Sequence, residues 1–327
     1  MKRIAFISEH ASPLATLGGV DSGGQNVYVA QTALHLAKLG YAVDVFTRCD
    51  DARLPEIVNW QPNIRVIHVV AGPQCFVRKE ELLALMPAFA DWMERFIGKT
   101  GVAYSLIHAH FFMSGLVAAQ LKARLNLPYV ITFHALGKVR MLHQGKADEF
   151  PADRLAIEEM LVQDADIVIA ECPQDRTDLM QLYQASADKI TIIPCGCNLQ
   201  QFYPVGRALA CEILGLDARK RYVLQLGRMV KRKGVETVIR GFAHYVRLHS
   251  TAAHNLELLI VGGEAAEPDP RLTPEIGRLQ QIAAEEGIAD QVRFTGRRDG
   301  ERLRYFYSVA EVFATLPWYE PFGITPL

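Results

Sequence analysis

Short runs of apolar residues, many of them β-branched or aromatic, alternate along the chain with longer segments whose apolar residues recur at helical spacing. The short runs predict buried strands, and the longer segments predict amphipathic helices. In the first part of the chain the predicted strands are 4–8, 43–47, 64–70, 106–109, 129–133, 167–170 and 190–193. The helices predicted between them are 25–39, 79–98, 113–126, 151–165 and 173–184. This order predicts a doubly wound α/β domain with seven parallel strands.

The alternation stops and then restarts further along the chain. An irregular stretch runs from Pro194 to Pro204, so we place the domain boundary near residue 205, between domains 1–205 and 206–327. The elements predicted after it are strands 222–226, 256–261, 292–295 and 312–315 and helices 234–249, 273–287 and 300–308. Doubly wound sheets usually have five or six strands. We therefore expect the second Rossmann-like domain to be incomplete at Leu327.

Composition and charge exclude several classes of protein. The 327 residues are 50% hydrophobic and 22% charged, which is typical of a two-domain globular protein. The 35 Lys and Arg nearly balance the 36 Asp and Glu, so no overall field attracts nucleic acid or an anionic membrane. Glu9 and His10 interrupt the first apolar run too early for a signal peptide, and no run is long enough to span a membrane. We expect a cytoplasmic protein with reduced thiols.

The loop after the first predicted strand is rich in glycine. Residues 18–26 carry two glycine pairs directly before a helix. Glycine lets the backbone approach a ligand closely, and a helix N-terminus supplies free N–H groups for a phosphate. The G-x-G-x-x-G spacing of dinucleotide-binding folds is absent. Taken alone, this loop is equally consistent with phosphate binding and with turn formation.

Three loops of the second domain carry candidate ligand-binding residues. Arg228 and Lys233 lie in a basic loop between a strand and a helix, where they can bind phosphate oxygens; the alternative is a solvated basic loop. The glycine pair Gly262 and Gly263 ends another strand. Glu320 follows the last strand, at the carboxyl edge where open α/β sheets bind ligands, although an acid in a loop is more often simply solvated.

Other polar clusters do not indicate a metal site. Four histidines, His108, His110, His134 and His143, suggest zinc only weakly, because no carboxylate or thiolate is spaced to complete a site. The pair Asp164 and Asp166 lies where a helix gives way to a strand, which predicts a structural role. We assign no function to Cys195 and Cys197 and predict no metal.

Taken in order, these motifs resemble the retaining glycosyltransferases of family 4, over essentially all 327 residues. The motifs are the glycine loop, His134 after the fifth strand counted above, Arg228 and Lys233 at the start of the second domain, and Glu320-Pro321-Phe322-Gly323. The resemblance implies the GT-B fold, in which two doubly wound Rossmann-like domains face each other across a cleft. It also implies transfer of a hexose from a nucleotide sugar, with no cofactor and no metal requirement.

Within that family, residues 8–14, 21–29 and 33–37 are similar to the inositol-phosphate N-acetylglucosaminyltransferases of mycothiol synthesis. Gly23-Gly24-Gln25 is also similar to the sucrose and sucrose-phosphate synthases. Both groups use UDP-sugars, so the resemblance implies a UDP-sugar donor. It also implies a small sugar or polyol acceptor, with or without a phosphate. Two departures weaken the match to an inositol phosphate, namely Ala135 in place of a Thr and Phe111-Phe112 in place of a pair that includes a Tyr.

The resemblance also implies roles for individual residues. Glu320 matches the first acid of the family's Glu-x7-Glu motif, whose second acid would fall just after Leu327. The donor-binding residues are Gly23, Gly24, Arg228, Lys233, Gly262, Gly263, Arg297 and Glu320, of which Arg228, Lys233 and Glu320 are catalytic together with His134. The acceptor-binding residues are Asn26, Lys79 and Arg154.

The family suggests a front-face displacement, because no second carboxylate is placed to form a covalent glycosyl intermediate. Two alternatives stay open at this point. One is a truncated, non-catalytic nucleotide-sugar binder or gene remnant, and the other is a nucleotide-sugar epimerase of the same fold. The expected partners are the small-molecule donor and acceptor; nucleic acid is not expected, and a homodimer stays open. The sequence does not determine the donor sugar, the acceptor or the linkage.

Overall fold

The computed structural model describes residues 1–15, 23–145, 150–320, 323 and 325–326, and these residues form two compact units. The first unit comprises Met1–Ala15 and Gly24–Cys195. The second comprises the described residues from Gly196 onward, and Gly23 is grouped with it. The domain boundary near residue 205 stays a prediction.

The first unit is an eight-stranded sheet with six α-helices. Its strands are β1 Arg3–Ile7, β2 Ala42–Arg48, β3 Ile57–Gln61, β4 Ile64–Val69, β5 Leu106–His110, β6 Tyr129–Thr132, β7 Ile167–Ala170 and β8 Ile190–Ile192. Its helices are α1 Gly24–Lys38, α2 Met86–Thr100, α3 Phe112–Leu125, α4 Gly137–Gln144, α5 Asp153–Asp164 and α6 Pro173–Tyr183. The sheet order is β3-β4-β2-β1-β5-β6-β7-β8, and every pair is parallel except β3 with β4.

The doubly wound arrangement follows from the alternation of side chains along β1. Ile4 and Phe6 belong to the core on one face of the sheet, with Val29 of α1. Ala5 and Ile7 belong to the core on the other face, with apolar residues of α2 and α3. Successive side chains of a strand point to opposite faces, so a strand that is apolar throughout must be covered on both.

All seven predicted strands of this unit are confirmed, but the count of seven is wrong. The eighth strand, β3, pairs antiparallel to β4 at the edge of the sheet, where its residues are half-buried or exposed. An edge strand needs no continuous apolar run, so the pattern did not reveal it. The helix predicted at 79–98 is two elements, a 3₁₀-helix Lys79–Leu85 and then α2. Pro87 lies in the first turn of α2, where its missing N–H costs nothing.

The second unit is a parallel four-stranded sheet of order β11-β10-β9-β12. Its strands are β9 Arg221–Leu226, β10 Leu256–Val261, β11 Val292–Gly296 and β12 Ala310–Phe313. Its helices are α7 Arg207–Leu214, α8 Val235–Leu248, α9 Ser250–Ala253, α10 Pro274–Glu285 and α11 Gly300–Val309. The four predicted strands are confirmed. The sequence did not predict α7 because it is only 8 residues long and glycines flank it.

Each sheet reverses direction next to its first strand. In the first unit the chain runs from β1 outward to β2 and β4, and then returns to β5 on the other side of β1. In the second unit it runs from β9 to β10 and β11 and returns to β12. Ligands of open α/β sheets bind beyond the carboxyl ends of the strands at such switch points. Of the described helices, none is long and apolar enough to cross a membrane.

A buried carboxylate links three neighbouring strands of the first sheet, β4, β2 and β1, near their amino ends. Asp44 of β2 is fully buried, and its Oδ1 lies 2.6 Å from Arg3 Nη1 and 2.8 Å from Arg65 Nε. Tyr104 donates its hydroxyl to Asp44 Oδ2 at 2.6 Å. Both carboxylate oxygens are therefore bonded, which offsets the cost of burying the charge.

We expect Asp44→Ala to lower the free energy of unfolding by about 3 kcal/mol, because it leaves two guanidinium groups and a buried hydroxyl without their partner. Calorimetry or urea denaturation measures the loss. Arg53→Ala is the control, since it breaks an ion pair with Asp51 in which Arg53 is exposed, and it should leave stability nearly unchanged. A loss no larger than that of the control would show that the Asp44 network is not stabilising.

Candidate active site

The candidate donor residues of the second unit all follow the carboxyl ends of its strands. Arg228 and Lys233 follow β9, Gly262 and Gly263 follow β10, Arg297 follows β11, and Glu320 follows β12. Four loops at one edge of a parallel sheet therefore carry the predicted residues.

Lys233 and Glu320 form an ion pair in this unit. The ammonium group donates to Glu320 Oε2, and the two side chains are only 13% and 19% exposed. Burial lowers the pKa of Lys233, and the Glu320 carboxylate opposes this effect. A half-buried pair in which both groups have a polar partner is a stable charged arrangement. It brings together two residues that are 87 positions apart in the sequence.

The segment that carries Glu320 is held against the turn that carries Lys233. The Trp318 amide donates to the Arg232 carbonyl at 2.8 Å, and the Arg232 guanidinium lies 5.4 Å from the centre of the Tyr319 ring. Gly234 has a φ of +65°, and a Cβ at that position would lie 1.8 Å from the Leu316 carbonyl oxygen. Only glycine permits this close approach of the two backbones.

A second close approach joins the loops after β9 and β10. Gly262 has a φ of +149°, and a Cβ there would lie 2.0 Å from the Gly227 carbonyl oxygen. A backbone hydrogen bond joins the loops after β10 and β11, because the Arg297 amide donates to the Ala265 carbonyl at 2.7 Å. The close approach at Gly262 and the hydrogen bond from Arg297 thus bring the loops after β9, β10 and β11 into contact.

In the first unit, His134 lies at the carboxyl edge, just after β6, within a cluster of buried histidines. His134 Nε2 is 3.0 Å from His110 Nδ1, and the His110 ring lies 4.0 Å from the His108 ring, centre to centre. Burial lowers the pKa of His134 and of His110 well below the usual value, and it lowers the pKa of His108 to about 3. These three imidazoles are therefore neutral at physiological pH.

Glu171, which follows β7, lies beside the same cluster. Its Oε1 is 3.5 Å from His134 Nδ1 and accepts a hydrogen bond from Cys195 Sγ at 3.5 Å. Burial raises the pKa of Glu171 to about 8. The Glu171 carboxyl group is therefore largely protonated at neutral pH, and it places no full negative charge next to His134.

Two residues at this edge have backbone conformations that side chains disfavour. Phe111, directly after β5, has a φ of +80°, and His134 has a φ of +60°. Neither is glycine, and a left-handed conformation costs a bulky residue of the order of 1 kcal/mol or more. Such strain persists only where the surroundings enforce it, and it concentrates at functional sites.

The predicted acceptor residues lie on three elements of the first unit. Asn26 of α1 donates through Nδ2 to the Ser12 carbonyl at 2.9 Å. Lys79 begins the 3₁₀-helix, and its Nζ is 3.9 Å from Glu80 Oε1. Arg154 of α5 is 2% exposed, and its Nε is 2.7 Å from Glu158 Oε1.

Arg154 also links the acceptor residues to the strand ends described above. Its guanidinium lies 4.9 Å from the ring centres of Phe111 and Phe112 and 4.6 Å from that of Phe150. Its Nη2 donates to the carbonyl of Ala135, the residue after His134. Among the described residues no group accepts a hydrogen bond from its buried Nη1.

The described residues include only part of the glycine loop. Residues 18–22 lie outside the described residues, as do Pro321 and Phe322 near the chain end. Gly24 is the first residue of α1, and the first turn of that helix contains no acidic residue that would compete for its N–H groups. Gly23 precedes it.

The sequence analysis missed the roles of Glu9, His10, Ser114 and Glu171. Glu9 is fully buried and contacts both His10 and Ser114. Glu9 and Glu171 each stand one or two positions after an apolar strand, at the edge where ligands bind. This position after a strand was the sequence signal that could have identified the two acids as candidate site residues. Within the described residues there is no group of three or more His, Cys, Asp or Glu that could hold a metal ion; the absence of a metal requirement stays a prediction.

Comparison with known proteins gives a consistent result over the whole chain. Residues 22–201 match the model of Glycosyltransferase Family 4, and residues 209–327 match that of Glycosyl transferases group 1. The D-inositol 3-phosphate glycosyltransferase of Corynebacterium efficiens is 34% identical over 331 aligned residues, which cover 99% of this chain and 76% of that protein.

Solved structures show the same fold. Sucrose-phosphate synthase from Thermosynechococcus elongatus superimposes with a TM-score of 0.87 at 35% identity, covering 99% of this chain and 78% of that one. Anabaena HepE, solved in complex with UDP and glucose, has a TM-score of 0.70 at 19% identity, with coverage of 99% and 77%. At that identity the second likeness concerns the fold alone.

We expect Gly234→Ala to separate the Glu320 segment from the Lys233 turn, because its Cβ would collide with the Leu316 carbonyl at an unfavourable φ. The loss of stability should be about 1 to 3 kcal/mol, measured as a lower melting temperature. Gly241→Ala is the matched control, since Gly241 lies inside α8 with nothing within 4 Å of its Cβ position. That change should stabilise the helix slightly. Equal effects of the two substitutions would contradict the packing described here.

We expect Glu171→Gln to make stability less dependent on pH. The unfolded chain releases the Glu171 proton near 4.5, whereas the folded chain keeps it up to about 8. The stability that this proton contributes is complete below pH 4.5 and is lost as the pH rises through 8. As the pH rises through that window, the free energy of unfolding of the variant should therefore increase relative to that of the wild type, by at most about 1.4 kcal/mol per pH unit.

Melting curves at pH 5, 6, 7 and 8 test this expectation. Asp51→Asn is the control, because the pKa of Asp51 is lowered to about 2 by hydrogen bonds from Arg53 and so lies outside the window. Its difference from the wild type should be constant. A constant difference for Glu171→Gln as well would mean that Glu171 ionises normally in the folded protein.

Proposed function

Since this chain belongs to glycosyltransferase family 4, with the GT-B fold, we propose that it moves a hexose from a UDP-sugar to a small sugar or polyol acceptor. The configuration of the anomeric carbon is retained. The second unit binds the donor, and residues of the first unit bind the acceptor. The reaction takes place in the cytoplasm and needs no cofactor or metal.

The observation that carries this proposal is the ion pair of Lys233 with Glu320 among the strand-end loops of the second unit. A nucleotide sugar offers a diphosphate and sugar hydroxyls, which are the groups that an ammonium and a carboxylate bind. Lys233 and Arg228, with the N–H groups of Gly23 and Gly24, neutralise the diphosphate. Their effect is greatest as the glycosidic bond breaks, because negative charge then grows on the leaving phosphate.

Glu320 binds the hydroxyls of the donor sugar once Lys233 has turned to the phosphate. Gly262 and Gly263 let the backbone approach the donor, and the segment at Arg297 contacts the base. The motifs that resemble those of family members using UDP-sugars support UDP as the nucleotide. HepE, which shares the fold alone, was solved with UDP and glucose.

His134 hydrogen-bonds the donor sugar and helps stabilise an oxocarbenium-like transition state. Its burial keeps the imidazole neutral, since the pKa of His134 is lowered well below its usual value. A protonated imidazole at this place would repel the positive charge that develops on the sugar. Neutrality is therefore a requirement of the proposed role.

The displacement proceeds on one face of the sugar. The bond between the anomeric carbon and the phosphate oxygen breaks while the acceptor hydroxyl forms its bond to the same carbon from the same side. The hydroxyl proton passes to the leaving phosphate oxygen, so atoms and charge balance without a second carboxylate.

The acceptor is bound by Asn26, Lys79 and Arg154. The buried Arg154 Nη1 has a hydrogen bond to give, and Lys79 supplies a second positive charge, which supports a phosphorylated sugar or polyol. The relatives named above act, by their names, on D-inositol 3-phosphate and in sucrose-phosphate synthesis. Ala135 and the pair Phe111 and Phe112 supply no hydroxyl to a phosphate.

The test is the rate of UDP release from UDP-glucose and UDP-N-acetylglucosamine with D-inositol 3-phosphate, myo-inositol and glucose 6-phosphate as acceptors. We expect Lys233→Ala to lower kcat/KM by about 100-fold or more, since it removes a charge aimed at the leaving group. UDP should raise the melting temperature of the wild type and have less effect on the variant.

Lys231→Ala is the matched control, because Lys231 lies in the same turn but is exposed. Its kcat/KM should be within about twofold of the wild-type value. Unchanged turnover in Lys233→Ala would remove Lys233 from the site. If UDP stabilises the protein but no acceptor receives the sugar, the protein is a nucleotide-sugar binder and the proposed reaction is wrong.

A further inference from the structure

Arg48 is the last residue of β2, at the carboxyl edge of the first sheet, and it is only 5% exposed. All the hydrogen bonds that its guanidinium makes to described residues go to backbone carbonyl oxygens. Nη1 donates to the Pro73 carbonyl at 2.6 Å and to the Cys49 carbonyl at 3.4 Å, and Nη2 donates to the Cys75 carbonyl at 2.5 Å. Burying a guanidinium is costly unless its N–H groups are bonded. The partner of this buried charge is therefore a stretch of backbone.

The backbone that Arg48 binds belongs to the β4 loop, residues 70–78, which joins β4 to the 3₁₀-helix that begins at Lys79. Residues 72–76 of this loop are exposed. A segment with few buried apolar contacts moves easily unless polar bonds fix it. The two hydrogen bonds from the Arg48 guanidinium to carbonyls of this exposed stretch therefore determine much of its position.

Hydrogen bonds at the end of β2 join the β4 loop to the neighbouring strands. The Arg48 amide donates to the carbonyl of Glu9, just after β1, at 3.0 Å. The next residue, Cys49, donates its amide to the Val69 carbonyl of β4 at 2.8 Å. Its Sγ accepts a hydrogen bond from Gln74 Nε2 at 3.3 Å. The ends of β1, β2 and β4 and the β4 loop therefore form one hydrogen-bonded network, and Arg48 makes the contacts to the loop backbone.

The β4 loop leads directly to Lys79, one of the proposed acceptor residues. Lys79 follows Cys75 by four residues, a length of chain that spans at most about 14 Å when fully extended. The Lys79 side chain is 20% exposed, and its Nζ is 3.9 Å from Glu80 Oε1. Arg48 lies on the same face of the sheet as Phe46, whose core cluster includes a residue of the 3₁₀-helix. Fixing the backbone at Cys75 therefore limits the positions that the Lys79 ammonium can take.

We propose that Arg48 is a positioning residue for the acceptor, because by fixing the β4 loop it places the Lys79 ammonium against the phosphate of a phosphorylated sugar or polyol. The inference rests on the proposed function, since it concerns the acceptor of that reaction. An ammonium is a point charge on a flexible stem, so its attraction for a phosphate depends on where the backbone carries it. Misplacing a binding group by about 1 Å is enough to lower the rate strongly. Arg48 acts through Lys79 and binds neither substrate itself.

Arg48→Met removes the hydrogen bonds to the β4 loop and keeps a long side chain in the same place. We expect the KM for D-inositol 3-phosphate or glucose 6-phosphate, whichever the wild type uses, to rise about 10-fold, because the Lys79 ammonium is no longer fixed. The kcat should stay within about twofold of the wild-type value, since the β4 loop takes no part in breaking the donor bond. Hydrolysis of UDP-glucose without an acceptor, and the rise in melting temperature with UDP, should match the wild type.

Arg53→Met is the matched control, because the Arg53 side chain is 90% exposed and pairs with Asp51. It should change none of these quantities. Arg48→Lys keeps the positive charge, but an ammonium cannot bond two separate carbonyls as the guanidinium fork does. It should raise the KM for the phosphorylated acceptor about fivefold, and it replaces Arg48→Met if that variant does not melt cooperatively. A wild-type KM in Arg48→Lys would assign the effect to charge alone and overturn the proposal.

A double-mutant cycle tests whether Arg48 acts through Lys79. Lys79→Met alone should raise the same KM, and Arg48→Met added to it should raise the KM no further, because the ammonium that Arg48 places is already gone. Effects of the two substitutions that multiply would overturn the proposal. Where the wild type also uses myo-inositol or glucose, Arg48→Met should leave the KM for that acceptor within about twofold. An equal rise in KM for acceptors with and without a phosphate would contradict a role at the phosphate.

The outcomes separate this inference from the proposed function. A wild type that transfers to no acceptor overturns the proposed function, and this inference falls with it. A wild type that transfers only to acceptors without a phosphate overturns this inference alone. So does a folded Arg48→Met variant whose KM for the phosphorylated acceptor is within about twofold of the wild-type value. Loss of UDP stabilisation in that folded variant would place its effect on the donor side and also overturn the inference.

Discussion

Parallel pairing of the strands is the constraint on which both candidate sites depend. In each sheet the parallel strands end at the same edge, so residues from distant parts of the chain meet there without any loop having to be long. His134, Glu171 and Glu9 follow three different strands of the first unit. Lys233 and Glu320 follow two strands of the second, on either side of its switch point. The hydrophobic alternation that buries the strands is thus also what assembles the polar groups.

The first unit buries several charged or titratable side chains, and it stabilises them in different ways. Asp44, at the opposite edge, is bonded by two guanidinium groups and a hydroxyl and has a structural role. Arg154 is paired with Glu158 and lies against three phenylalanine rings. Glu171 instead keeps its proton, since burial raises its pKa to about 8. The compensated charges of Asp44 and Arg154 fix the structure. Glu171, which keeps its proton, leaves the neighbouring imidazole of His134 neutral.

The sequence predicted the order of the strands and the loops that carry Arg228, Lys233 and Glu320, because buried parallel strands are nearly continuous apolar runs that are easy to see. It did not predict β3, whose half-exposed residues carry no such run, or α7, which is too short to show a period. It placed Lys233 and Glu320 among the donor residues, but their pairing depends on the backbone approach at Gly234. The buried roles of Glu9 and Glu171 were missed because burial of a single acid has no periodic signature.

The pairing of Lys233 with Glu320 has a consequence for selectivity among anions. An inorganic phosphate that binds the Lys233 ammonium leaves the half-buried Glu320 carboxylate without its partner. Part of the free energy gained at the lysine is therefore lost at the glutamate. In the proposed reaction a nucleotide sugar replaces both partners at once, with an oxygen anion for the lysine and hydroxyls for the glutamate. On that proposal, the ion pair discriminates against simple phosphates by a competing contact that the protein itself supplies.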